Sequence, residues 1–148
     1  MSYRGKYIIT KPEKYAGDVT KVRYLSLWER QTFIWMESNS NIVKWCSEEL
    51  ILPYKCGTDG RMHRYYTDLM FETKNGDIYV IEIKPHKQTL PPIKGKRKTK
   101  RYINETMAYI KNISKWKAAR AYCEQHGFKF EIWDEHVLIK LGIKIAKK

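Results

Sequence analysis

Ten residues, GDIYVIEIKP (76–85), constrain this chain more than any other stretch. Ile78, Tyr79, Val80, Ile81 and Ile83 give the composition of a buried β-strand, bounded by a glycine and a proline. Glu82 and Lys84 interrupt it. Side chains alternate along a strand, so both charges share one face with Ile78 and Val80. Burying a charge is costly unless it is paired or hydrogen-bonded. A fold that accepts this strand must build something around an acid and a base.

The preceding segment, Arg64–Thr73, reads as a partner strand joined around Asn75-Gly76, the clearest hairpin signal in the chain. Its faces carry Tyr66, Asp68, Met70 and Glu72 on one side, and Thr67, Leu69, Phe71 and Thr73 on the other. A two-residue turn would set Leu69 opposite Glu82. A three-residue loop, Lys74-Asn75-Gly76, with Gly76 left-handed, instead sets Asp68 opposite Glu82 and Tyr66 opposite Lys84. It also sets Met70 against Val80 and Phe71 against Tyr79, so the apolar residues match. This second register is the expected one.

In that register two carboxylates lie about 5 Å apart at Cβ, with an ammonium one pleat further on. Acids that close repel, and a cation must sit between them. A hard divalent ion bound by carboxylates, a backbone carbonyl and waters meets the need, Mg²⁺ being the common choice where phosphate is a further ligand. A neighbouring lysine then orients or activates water for attack on phosphorus.

Elsewhere, Leu25 to Met36 has helical spacing of apolar residues, and Ser26-Leu27-Trp28-Glu29 matches a capping box. Residues 42–54 read as one strand with a break near Ser47, and 55–63 as a glycine-bearing loop. Residues 85–101 form a proline-bearing basic loop. From Tyr102 to Gln125 the period is helical, as one helix or two broken near 112–114, with Gly127 as the stop. Residues 128–133 are a final strand, 134–145 a short closing helix, and 1–23 an irregular basic arm. The whole of 1–148 is expected as a single domain, α/β in class: helix, three strands, helix, strand, a mixed central sheet flanked by helices.

Charge supplies the partner. Lys and Arg number 29 against 16 Asp and Glu, a net +13, which favours a polyanion. No stretch has the apolar length of a membrane span, and no membrane role is expected. The three cysteines suit a reducing cytosol. Six basic residues, Lys94, Lys96, Arg97, Lys98, Lys100 and Arg101, fall within eight positions. They form either a solvated loop or a clamp on a phosphate backbone, and the clamp is favoured. Arg61, His63 and Arg64 are placed to reach a phosphate; which way Lys117 faces is left open. A zinc centre from Cys46, Cys56, His63 and Cys123 lacks paired spacing and is not expected.

Asp68 followed by Glu82-Ile83-Lys84 resembles the PD-(D/E)xK nuclease superfamily, whose restriction-endonuclease-like core has the element order read above. Thr67 stands where that signature has proline. RYYTDL…YVIEIKP and KWKAARAYCEQHGFKFEIW look like the transposon endonuclease subunit TnsA. The N-terminal GKY…KY-GD pattern, Trp28-Glu29, IEIKP with its later PP, and KWKAA are similar, nearly end to end, to the head completion proteins of T-even-like bacteriophages. The resemblance implies that Asp68 and Glu82, with the Ile83 carbonyl, hold Mg²⁺ (or Mn²⁺), and that Lys84 is catalytic. Glu29 would be the helical acid completing the set, unless it serves only as the cap. It further implies a DNA nuclease acting after packaging in the host cytoplasm, beside portal, neck or other head-completion proteins; whether it remains in the virion is left open. Two alternatives stand beside it: a non-catalytic DNA-binding structural protein of the head–neck region, or a transposase subunit that cuts beside a partner.

Overall fold

The hairpin adopts the three-residue loop. In a computed structural model describing residues 3–145, strands β6 (Leu69–Thr73) and β7 (Ile78–Ile83) pair antiparallel, with Met70 opposite Val80 and Phe71 opposite Tyr79. Thr73 N–H donates to the Asp77 carbonyl and Gly76 N–H to the Thr73 carbonyl, both at 2.9 Å. Gly76 has φ +89°, a left-handed conformation in which a Cβ is strained. The Phe71 and Tyr79 rings stack across the pair at 4.9 Å.

β6 and β7 lie inside a four-stranded sheet of order β3-β6-β7-β8, where β3 is Ile42–Cys46 and β8 is Lys129–Trp133. Only the β7–β8 pairing is parallel. The crossover that a parallel pair requires is helix α2, Lys100–His126, one unbroken helix. The Thr99 side chain caps its start, and Gly127 (φ +72°) ends it. Helix α1, Leu27–Ser38, precedes the sheet, and α3, Glu135–Lys140, follows it. The core order α1-β3-β6-β7-α2-β8 is thus the mixed α/β arrangement expected.

The sheet separates two apolar layers. On one side Leu69, Phe71, Ile81, Ile83 and Trp133 pack with Phe33 and Met36 of α1, Leu138 of α3, and Tyr7, Tyr15 and Val22 of the N-terminal segment. On the other, Phe130 and Ile132 meet Trp116 and Ala119 of α2 together with Leu52, Tyr54 and Tyr65. These last three belong to a separate antiparallel hairpin, β4 (Ile51–Lys55) and β5 (Met62–Tyr66).

Two expectations change. The segment 64–73 is not one strand, and Tyr66 pairs with Ile51 of β4 rather than facing Lys84. The chain leaves the hairpin at Thr67, whose N–H and hydroxyl both donate to the Leu50 carbonyl and whose own carbonyl accepts from Glu48 N–H. It then enters the central sheet at Leu69. The segment 42–54 likewise splits into β3 and β4 around Ser47, where a break was expected.

The arm is also more ordered than its sequence suggests. Its short strands β1 (Gly5–Lys6) and β2 (Arg23–Tyr24) pair with each other. The buried Glu37 at the end of α1 accepts from Tyr7 Oη (2.6 Å) and from the Thr10 and Lys11 N–H groups (both 2.8 Å). Lys14 Nζ donates to the carbonyls of Met36, Glu37 and Asn39, closing the open end of the helix. A buried carboxylate with three donors is satisfied, and it clamps the arm to the core.

Candidate active site

The departure of the chain at Thr67 makes the site. Continued at the same register, the antiparallel ladder would give the Ile83 N–H to the Thr67 carbonyl. That carbonyl is already taken by Glu48, and Asp68 Oδ2 accepts from Ile83 N–H instead, at 2.8 Å. A side-chain carboxylate replaces a backbone acceptor, which fixes Asp68 at the end of β6 and turns it toward Glu82.

Glu82 is buried, 5% exposed, on the face toward the β4–β5 hairpin. Tyr65 Oη donates to its Oε1 at 2.5 Å, and Lys84 Nζ lies 3.5 Å from its Oε2. Burial, reinforced by the nearby Glu82 and Glu29 charges, pushes the Asp68 carboxyl well above the usual carboxylate range; the Ile83 N–H and Lys84 pull against that rise. Burial also raises Glu29, with Glu48 and Glu82 adding to the effect while the Leu25 N–H and Lys84 oppose it. Three acids therefore share one electrostatic field, with Lys84 partly buried among them.

Glu29 serves as the cap expected of it. The Ser26 hydroxyl accepts from its N–H at 3.1 Å, and its Oε1 accepts from Leu25 N–H at 2.8 Å. The cap is therefore real, one residue further back than the standard box. The same carboxylate also stands close enough to Glu82 for that charge to raise it.

Three residues join the site without a local signal in the sequence. Tyr65 arrives from the hairpin. Lys115 arrives from α2: burial lowers its ammonium, Glu82 and Asp68 hold it up, and its Nζ sits 5.5 Å from the Tyr65 ring centroid. Lys117, the lysine singled out earlier on that helix, is exposed. Glu48 has φ +58°, a strained conformation for a residue with a Cβ, at the break between β3 and β4.

The basic candidates are exposed side chains of the loop before α2, of its first turn and of the β4–β5 hairpin. Lys94, Lys96, Arg97 and Lys98 are exposed in the loop before α2, and Lys100 and Arg101 are exposed in its first turn, Arg101 Nε lying 3.5 Å from Glu105. Arg61 and Arg64 are exposed on the β4–β5 hairpin, where His63 Nε2 lies 2.8 Å from Asp59 Oδ2.

The donor set suits a hard divalent cation: carboxylates crowded beyond what two lysines neutralise, on rigid strand and helix termini. Among the described residues, no helix is long and apolar enough to cross a membrane.

Residues 39–135 match the family model described as TnsA-like endonuclease N terminal, and the match takes in β3 through β8. The head completion nuclease of Enterobacteria phage T4 is 40% identical over 150 residues, an alignment covering 99% of this chain and 100% of that protein.

Proposed function

The chain belongs to the TnsA-like endonuclease family, and from that premise we propose that it is a Mg²⁺-dependent (or Mn²⁺-dependent) DNA nuclease. It hydrolyses phosphodiester bonds during phage head completion, in the cytoplasm of the bacterial host. Its partners there are DNA and other components of the head and neck. The observation that carries this reading is the meeting of Asp68, Glu82, Lys84 and Glu29 from two strands and a helix.

In this reading Asp68, Glu82 and the Ile83 carbonyl hold the metal, with Glu29 completing the set. When bound, the metal neutralises the carboxylates and polarises the scissile phosphate. The residues of the chain do the remaining work. The Ile83 N–H and Tyr65 Oη fix the two acids, so little reorganisation accompanies reaction. Lys84, restrained beside Glu82, orients the attacking water and offsets charge developing on the phosphate. Lys115 adds a second positive charge from the helix side. The basic segment 94–101 and Arg61 and Arg64 bind the flanking backbone, which positions DNA without reading its sequence.

Linear and supercoiled DNA incubated with the protein and Mg²⁺ or Mn²⁺, beside Asp68→Ala and Lys84→Ala, tests the proposal. Cleavage by the wild type and loss in both variants is expected. No cleavage by the wild type, or equal cleavage by all three, overturns it in favour of a non-catalytic DNA-binding role.

A further inference from the structure

The tip of the β4–β5 hairpin gathers a second set of metal donors, outside the carboxylate centre. Cys56, Asp59 and His63 each bring one ligand atom, and the three atoms lie within 4.8 Å of one another. We propose that this hairpin tip binds one Zn²⁺, or a transition ion of similar softness, through Cys56 Sγ, Asp59 Oδ2 and His63 Nε2.

The chemistry distinguishes this set from the site at Asp68. A thiolate and an imidazole select zinc over magnesium, whereas a cluster of oxygens selects the reverse. Three protein ligands leave a fourth tetrahedral position for water. The spacing, Cys-x2-Asp-x3-His, places the first two ligands in a tight turn and the third on the returning strand.

The turn is built to hold them. Cys56 N–H donates to the Arg61 carbonyl and Gly60 N–H to the Cys56 carbonyl, with Gly60 at φ +69°. Asp59 Oδ1 accepts from Arg61 N–H at 2.9 Å, which leaves Oδ2 aimed at His63. The His63 ring is packed against Tyr54 at 5.7 Å. The metal would take the place of the proton now shared by His63 and Asp59. Cys56 is buried, and its thiol lies 3.0 Å from the Thr58 hydroxyl. Cys46 and Cys123, the other cysteines weighed for zinc, do not join this group.

The consequence is mechanical. Gly57 N–H donates to Ser114 Oγ of α2, so the tip is already fastened at one point. A metal there would stiffen the hairpin whose far end delivers Tyr65 to Glu82. This inference does not depend on the nuclease reading.

The test is a Co²⁺ titration of the full chain under reducing conditions, in excess Mg²⁺ to occupy oxygen sites, followed by competition with Zn²⁺. One equivalent with a thiolate-to-cobalt charge-transfer band, displaced by Zn²⁺ and accompanied by a rise in melting temperature, is expected. The band should vanish in Cys56→Ser and weaken by about tenfold or more in Asp59→Asn and His63→Ala. Absence of the band in the wild-type protein overturns the proposal without reliance on any variant. So does a band that persists in Cys56→Ser, or binding unchanged in both other variants.

Discussion

Replacing Asp68 by asparagine should stabilise the metal-free protein while removing its activity. The unfolded chain gives up this proton near the ordinary carboxylate value of about 4. The folded chain holds it to higher pH, because burial and the Glu82 and Glu29 charges raise the group. The folded state therefore binds more protons across that window, and stability falls as pH rises through it. Once ionised, the carboxylate is a cost that a metal offsets. Cross-strand acids have Cβ atoms about 5 Å apart, and two charges at that separation repel by roughly 3 kcal/mol at an effective dielectric near 20. Lys84 and the Ile83 N–H return part of this, and solvent screens the part of Asp68 that remains open, leaving on the order of 2 kcal/mol. Asparagine keeps an oxygen for the Ile83 N–H and removes the charge. At roughly 2–4 °C per kcal/mol for a chain of this size, melting in EDTA should rise by about 4–8 °C. Thermal unfolding followed by circular dichroism checks this at neutral and acidic pH. The gain should shrink on acidification, and Mg²⁺ should raise the wild type alone. An asparagine variant that melts at or below the wild type in EDTA at neutral pH refutes the reasoning.

Because burial raises the Asp68 and Glu29 carboxyls of the metal-free protein, protons compete with the metal, and the Mg²⁺ concentration for half-maximal cleavage should rise on acidification before pH reaches about 4; a half-maximal concentration constant down to that value contradicts it. Neutralising Lys96, Arg97 and Lys98 together should weaken DNA binding and flatten its salt dependence, lowering the log–log slope by up to about 2–3. An unchanged slope returns the segment to a solvated loop. Glu37→Ala should cost about 3–5 kcal/mol in denaturant unfolding, since Tyr7 and two backbone N–H groups lose their acceptor. A change below about 1 kcal/mol would show that the arm is held by its aromatic packing alone.

The parts of the site that local rules govern could be read from the residues. Gly76 sets the loop length, the loop length sets the register, and the register brings Asp68 to Glu82. Ser26 and Glu29 announce the start of α1 in the same local way. What escaped depends on distant pieces of chain. The alternation of residues 64–73 runs through Thr67 without a glycine or proline, so nothing local marks the change of sheet; the cause is hydrogen bonding to Glu48 and Leu50. Tyr65 and Lys115 reach the site only because the hairpin and α2 pack on the same face. Asp59 beside Cys56 and His63 carries no local signal, because the three lack the paired-cysteine spacing of common zinc motifs.

Helix α2 also sets a length. Its 27 residues span about 40 Å, and none is fully buried before Trp116. Lys115 stands in the field of the acids, while Lys100 lies fifteen residues earlier, about 22 Å away along the axis. Laid beside a duplex, that interval is about six base pairs. In the proposed reading the helix would act as a ruler, its basic tip gripping the backbone a fixed number of steps from a bond held at the carboxylates. Removing or adding whole turns of α2 between Lys100 and Ile113 would move the grip and leave the chemistry where it is.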